Sequence, residues 1–186
     1  RNGTRAARLV TRSTGSFGAM AGKRIAAGNL FIGTFDASQA MGNALAATRF
    51  GNPFGQTPLR VKGYYKYKAG ETFQDPEGNP VPGVKDQCTI YAILYDREID
   101  GQMLDGSNAQ TSDKLIAKAV VPDLRETDEW IEFDIPFDYL QTLDPVRQEA
   151  FYYNVAIICS SSDKGAEFSG AIGSTLIVDD LELVCE

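Results

Sequence analysis

Eight short runs of alternating apolar and polar residues, each fenced by Gly, Pro, Asn, Asp or Ser, leave this chain little choice but stacked β-sheets. The runs are ARLVTRST (7–14), GNLFIGTFD (28–36), PLRVKGYYKYKAG (58–70), DQCTIYAILYDRE (86–98), DKLIAKAVVPD (113–123), EWIEFDIPF (129–137), YYNVAIICSSS (152–162) and STLIVDDLEL (174–183). They are rich in Val, Ile, Tyr, Phe and Thr, which suit a pleated, half-buried surface. Eight such strands predict an all-β, two-sheet sandwich of jelly-roll type, with short helical turns only in loops. The 186 residues fit a single domain, whose one core buries roughly 70% of the unfolded chain's surface.

Helical periodicity is scarce. DPVRQEAF (144–151) predicts one turn, with Asp144 as N-cap and Pro145 at the first helical position. DASQAMGNALAA (36–47) predicts another short helix, limited by Gly42. Two long polar loops, 70–86 and 100–113, lie between strands and are places where specificity is commonly housed. SSSDKGAEFSG (160–170) gathers small polar residues after an apolar strand, either to line one end of a binding face or to make a turn.

Within a strand, successive side chains point to opposite faces. Over 58–68, Val61, Gly63, Tyr65 and Tyr67 share one side, and Arg60, Lys62, Tyr64, Lys66 and Lys68 the other. Over 87–97, Cys88, Ile90, Ala92 and Leu94 form an apolar face opposite Thr89, Tyr91, Ile93 and Tyr95. Over 130–137, Ile131, Phe133, Ile135 and Phe137 point to the core, leaving Trp130, Glu132 and Asp134 outward. If these strands are neighbours, Tyr64, Tyr91, Tyr95 and Trp130 join Lys62 and Lys66 on one open sheet. Such a surface suits a sugar, whose C–H face packs on aromatic rings while its hydroxyls bridge charged side chains. The competing reading makes these tyrosines cross-strand packing pairs roofed by the long loops.

Charge and residue counts narrow the chemistry. A net charge of −7 without a basic face argues against nucleic acid and anionic lipid as partners. The absence of histidine removes Ser-His and Cys-His nucleophile pairs and imidazole zinc sites. Cys88, Cys159 and Cys185 have no CxxC spacing, and the first two sit in apolar runs as buried thiols. GSFGAMAG (15–22) is glycine-rich but lacks the lysine of a phosphate loop. No cofactor is expected. No run approaches the roughly 20 apolar residues that span a bilayer. The chain opens at RNGTRAARLV without an initiator methionine, and is expected to be the C-terminal part of a longer precursor.

Any catalysis would therefore run on groups such as carboxylates. Asp179 and Asp180 are adjacent, so in a regular strand they face opposite ways and cannot work as a pair. The expected role is structural: one aspartate accepts a backbone N–H where the strand bulges, returning Leu181 and Leu183 to the core. Calcium coordination there is the alternative. Glu132 and Asp134 lie on one face, with Cα atoms about 6.6 Å apart by strand rise. They are the candidate pair for glycoside hydrolysis, although nothing in the sequence supplies the apolar pocket that would raise the pKa of one of them.

Taken nearly end to end, ARLVT, AAGNLFIGTFD, GNPFGQTPLRVKGYYKYKAG, DQCTIYAILYD and SSSDKGAEFSGAIGSTLIVDDLEL resemble the putative carbohydrate-metabolism domain of gut Bacteroidetes. The resemblance implies a jelly roll similar to carbohydrate-binding modules, in family members that often carry glycoside-hydrolase labels. It also implies a preceding immunoglobulin-like domain and a lipoprotein signal, hence a secreted or surface-anchored precursor. The expectation is a non-catalytic glycan-binding module for polysaccharide capture or use. A glycoside hydrolase using Glu132 and Asp134, or an adhesive protein-interaction domain, are the alternatives.

Overall fold

The computed structural model describes residues 3–38, 43, 45–98 and 101–186. In chain order its elements are β1 (Ala7–Val10), β2 (Arg12–Ser13), α1 (Gly15–Met20), β3 (Ile25–Ala26), β4 (Asn29–Phe31), β5 (Gly33–Phe35), β6 (Thr48–Phe50) and β7 (Asn52–Phe54). There follow β8 (Pro58–Lys68), β9 (Phe73–Gln74), β10 (Thr89–Asp96), β11 (Leu115–Val120), β12 (Thr127–Pro136) and β13 (Asp138–Tyr139). The chain ends with α2 (Pro145–Glu149), β14 (Tyr153–Ser160), a 3-10 turn (Asp163–Glu167), β15 (Gly170–Ala171) and β16 (Thr175–Cys185).

One sheet runs β1-β16-β8-β12; the other runs β13-β11-β10-β14-β4, with β7 also pairing β14. The eight principal strands are β1, β4, β8, β10, β11, β12, β14 and β16. Counted first to eighth, they give sheet orders 1-8-3-6 and 2-7-4-5, the two interlocked Greek keys of a jelly roll. Each of the eight runs marked in the sequence contributes one of these strands. The predicted turn at 144–151 is α2, whose first N–H groups (Val146 at 2.9 Å, Arg147 at 3.4 Å) donate to the Asp144 carboxylate. Of the helix predicted over 36–47, residues 39–42 and 44 lie outside the described residues, and the described ones form turns at 37–38 and 45–47.

The core fills the space between the two sheets. Val61, Tyr65 and Tyr67 of β8 and Leu176 and Val178 of β16 meet Ile90, Ala92 and Leu94 of β10 and Val155, Ile157 and Cys159 of β14. Position 63 is a glycine for a packing reason: a Cβ there would stand 2.7 Å from the Phe133 ring and 2.8 Å from Leu181.

The Asp179–Asp180 step is the expected bulge. Register with β8 slips by one residue between Asp179↔Tyr64 and Glu182↔Lys62. Asp180 takes φ 48°, a left-handed conformation that Asp tolerates, and its N–H donates to Asp179 Oδ1 at 2.9 Å. Beyond the slip, Leu181 and Leu183 pack on the main core.

Cys88 and Cys159 are buried thiols in that core, and Cys185 is half-buried near the chain's end. Burial pushes the first two up to about 12, so neither supplies a reactive thiolate near neutrality. The expected outcome of titration with a thiol reagent is one accessible group in the native protein and all three after unfolding. Prompt reaction of three thiols in the folded state would contradict this packing.

The outer face of the β10-containing sheet carries a second apolar cluster. Tyr91, Ile93, Tyr95, Leu115, Ala156 and Ile158 from the sheet are joined by Phe50, Leu104 and Ala109 from segments that fold across it. That outer layer shapes the concave feature described next.

Candidate functional site

Three strands of this sheet put matching side chains into two rows on its outer face. Registers Tyr91↔Ile158 and Ile158↔Phe31 align an apolar row, Phe31–Ile158–Tyr91. Two residues along each strand, Thr89↔Ser160 and Ser160↔Asn29 align a polar one. These six side chains line a cleft of about 700 Å³, within the usual range for small-molecule sites.

Its walls come from four segments. Phe50 stands edge-on to Phe31, centroids 5.3 Å apart at 81°. Gln110 of the long 101–112 loop lies beside the Tyr91 hydroxyl. The hairpin through α1 brings Met20 and Lys23, the latter with its Nζ 5.6 Å from the centre of the Phe168 ring. Thr14 donates to the Lys23 carbonyl and closes that hairpin. The 3-10 turn adds Asp163, Gly165 and Ala166.

Asp163 is the one carboxylate among the described lining residues. It is open to solvent on one side, yet its carboxyl is held above the ordinary range, mainly by partial desolvation, while the Thr89 hydroxyl pulls it down. Burial likewise raises the Tyr91 phenol, which stays protonated and can only serve as a neutral hydrogen-bonding group.

The position of this turn is set by a buried polar hub. Asp86, 3% exposed, accepts Ser162 Oγ at 2.6 Å, Ser174 Oγ at 2.6 Å and the Ala171 N–H at 2.7 Å on one oxygen, and the Gln87 N–H at 3.0 Å on the other. The Thr11 hydroxyl bridges Ser161 and Ser162 at 2.8 and 2.6 Å. The Asp163 N–H donates to the Gln87 carbonyl at 2.6 Å. This hub ties the first strand, the cleft rim and the start of β16 together.

The aromatic platform anticipated from the sequence is divided by the fold. Tyr64 lies on β8, between β16 and β12, while Tyr91 and Tyr95 lie on β10 in the other sheet, so their outward faces are on opposite sides of the sandwich. Tyr91 is 6% exposed and Tyr95 fully buried, which corrects the expectation that both rings stand open to solvent. The reason is the roof: Leu104, Ala109 and Phe50 cover them, and the Tyr95 hydroxyl donates to the Phe50 carbonyl at 2.6 Å while accepting from Asn154 at 3.0 Å.

Lys62, Tyr64, Lys66, Trp130, Glu132 and Asp134 do come together, on the outer face of the other sheet. Tyr64 sits across from Glu132 and Asp179, and Lys62 across from Asp134 and Glu182. The Lys66 ammonium lies 5.1 Å from the centre of the Trp130 ring and donates to the Asp128 carbonyl at 2.6 Å. Asp134 pairs with Arg60 at 2.6 Å and with Lys62 at 3.9 Å. Glu132 and Asp134 are both exposed, so the arrangement lacks the desolvated acid that hydrolysis by a carboxylate pair requires.

The cleft residues were only partly visible in the sequence. The segment 160–170, rich in small polar groups, forms one wall. Asn29, Phe31 and Thr89 carry no motif, and their meeting depends on strand register. Among the described residues no three acidic or cysteine side chains cluster as a metal site, and no helix is long and apolar enough to cross a membrane.

Comparison with known proteins agrees with this fold. A crystal structure from Bacteroides thetaiotaomicron described as "a putative glycoside hydrolase" is 50% identical with a TM-score of 0.94, matching 97% of this chain and 53% of that one. One from Bacteroides vulgatus with the same description is 46% identical with a TM-score of 0.90, matching 97% of this chain and 73% of that one. The chain thus spans about half the length of the first and about three quarters of the second. No curated protein matches it. The family model described as "Putative carbohydrate metabolism domain" matches residues 1–184, and the chain belongs to that family.

Proposed function

We propose that this domain binds a saccharide in the cleft on the outer face of the β10-containing sheet, as the capture module of a secreted or surface polysaccharide-using protein. The observation that carries the reading is the pair of floor rows. An apolar strip, Phe31–Ile158–Tyr91, runs beside a strip of small hydrogen-bonding groups, Asn29–Ser160–Thr89. A pyranose ring has the same division between C–H faces and hydroxyl edges. Membership of a carbohydrate family supports the ligand class, and Asp163, the one carboxylate among the described lining residues, supports binding over hydrolysis, which ordinarily takes two.

Dissociation constants of about micromolar to millimolar are expected, roughly −8 to −4 kcal/mol. Asn29 and Asp163 are exposed at the cleft, so Asn29→Ala with Asp163→Asn should leave the melting temperature nearly unchanged. A lost polar contact weakens binding by roughly tenfold, and the double variant should lose most retention on the glycan that a printed array identifies. Tyr64→Ala with Trp130→Ala, on the opposite sheet, should change retention less than about twofold. The reverse pattern would move the site to the Lys62–Tyr64–Lys66–Trp130 face and end the cleft reading.

A further inference from the structure

The cleft's walls are poorer in hydrogen-bonding groups than its floor, and this limits what a sugar can present to them. Leu45, Gly106 and Ala166 converge from three separate segments: a Cβ on Gly106 would stand 3.1 Å from Leu45 Cδ2 and 4.0 Å from the Ala166 Cβ. All three line the cleft, together with Met20 and Phe35, which are 87% and 57% exposed. With no side chain on Gly106, Leu45 closes onto its backbone, and the three residues give the cleft a wall patch of methyl groups and bare backbone.

Much of the polar complement is already engaged. The Ser160 hydroxyl donates to the Ser162 carbonyl at 2.9 Å, and the Asn29 amide donates to the Ala27 carbonyl at 3.2 Å. An unmodified hexose carries a hydroxyl on nearly every ring carbon. Each one pressed against methyl and phenyl groups without a partner weakens binding by about tenfold. A methyl group in the same place strengthens it by roughly fourfold.

We infer that the cleft selects sugars bearing apolar substituents, acetyl groups or the methyl of a 6-deoxy sugar, with the substituent packed against the Leu45–Gly106–Ala166 wall patch. The inference rests on the saccharide-binding reading above.

Matched pairs of ligands test it. Suitable probes are N-acetylglucosamine- against glucose-terminated oligosaccharides, fucose- against galactose-terminated ones, and O-acetylated xylo-oligosaccharides against the same material after alkaline deacetylation. At least one methyl-bearing member should bind tenfold or more tightly than its partner. Ala166→Ser, which places a hydroxyl on that patch at almost constant volume, should reduce that ratio to about threefold or less without altering the melting curve. Equal binding of both members of every pair, or preference for the unmodified one, overturns the inference and leaves saccharide binding standing. No binding of any member overturns both. A ratio unaffected by Ala166→Ser places the substituent elsewhere and overturns the assignment to this patch.

Discussion

Asp86→Ala should cost the domain about 3–5 kcal/mol, the largest effect expected from any single polar residue here. Asp86 accepts four hydrogen bonds in a nearly dry site. Hydrogen bonds to a charged group contribute about 1.5–3 kcal/mol each, less than additively when they share a site. The alanine leaves two backbone donors, on Gln87 and Ala171, and two hydroxyls facing a void. Against a typical total stability of about 5–15 kcal/mol, the melting temperature should fall by roughly 10–15 °C. Asp86→Asn separates charge from shape. The hydroxyls of Ser162 and Ser174 can turn to accept from the new amide, but the N–H groups of Ala171 and Gln87 cannot. Whichever oxygen the amide nitrogen replaces, one backbone donor is orphaned, at about 1–3 kcal/mol. Urea unfolding should therefore rank wild type above Asn above Ala. A loss below about 1 kcal/mol for the alanine would mean that the corner holds without its carboxylate. Because the Asp163 N–H hangs from the Gln87 carbonyl, ligand affinity should fall along with stability in both variants.

Asp86 also marks where strand-by-strand reading stops. It stands at the start of the run DQCTIYAILYDRE and looks like the polar edge of a strand, but β10 begins only at Thr89. Its partners lie at positions 162, 171 and 174, distant in sequence, and no local pattern pairs them. The strands themselves were legible because pleating forces a period of two, and burial of one face fixes its phase. Hence Val61, Tyr65 and Tyr67, Phe133, Ile90 and Leu94 fall on the core side as read. The bulge at Asp179–Asp180 was legible because two adjacent aspartates cannot both be accommodated in an alternating strand whose apolar phase resumes at Leu181. Alternation separates two faces, however, without saying which is covered. Tyr91, Ile93 and Tyr95 alternate correctly against Ile90, Ala92 and Leu94, yet both sets are buried, because β10 is central in its sheet and roofed from outside. Nor does alternation give the neighbour. Tyr64 and Tyr91 look equivalent in sequence, and only the 1-8-3-6 and 2-7-4-5 orders put them on opposite sides.

The roof itself hangs on Leu104, and Leu104→Ala should cost about 2–4 kcal/mol, most of it local. This leucine is fully buried although it lies in the polar loop DGQMLDGSNAQTSD. Its side chain joins the outer cluster with Phe50, Tyr95 and Ala109, and its carbonyl accepts the Phe50 N–H at 2.8 Å. The loop is already shaped without it: Asp105 accepts the Ser107 N–H and hydroxyl at 2.8 and 2.5 Å, and Asn108 accepts the Asp105 N–H at 2.9 Å. Truncation therefore removes the pin and keeps the curl. Leucine-to-alanine changes in cores cost about 2–5 kcal/mol, with the low end where the surroundings can collapse. A loop tethered at both ends can lift instead of leaving a cavity, which caps the loss at the free energy of docking. Hydrogen exchange should show this directly. The Phe50 amide and those of 104–112 should lose protection by one to two orders of magnitude, at about 1.4 kcal/mol per tenfold, while Ile93 and Ile157 in the central strands keep theirs. Gln110 and Gly106 leave with the loop, so the cleft loses one wall and glycan affinity drops although the floor rows are intact. Uniform loss of protection across both sheets would instead make Leu104 part of one indivisible core.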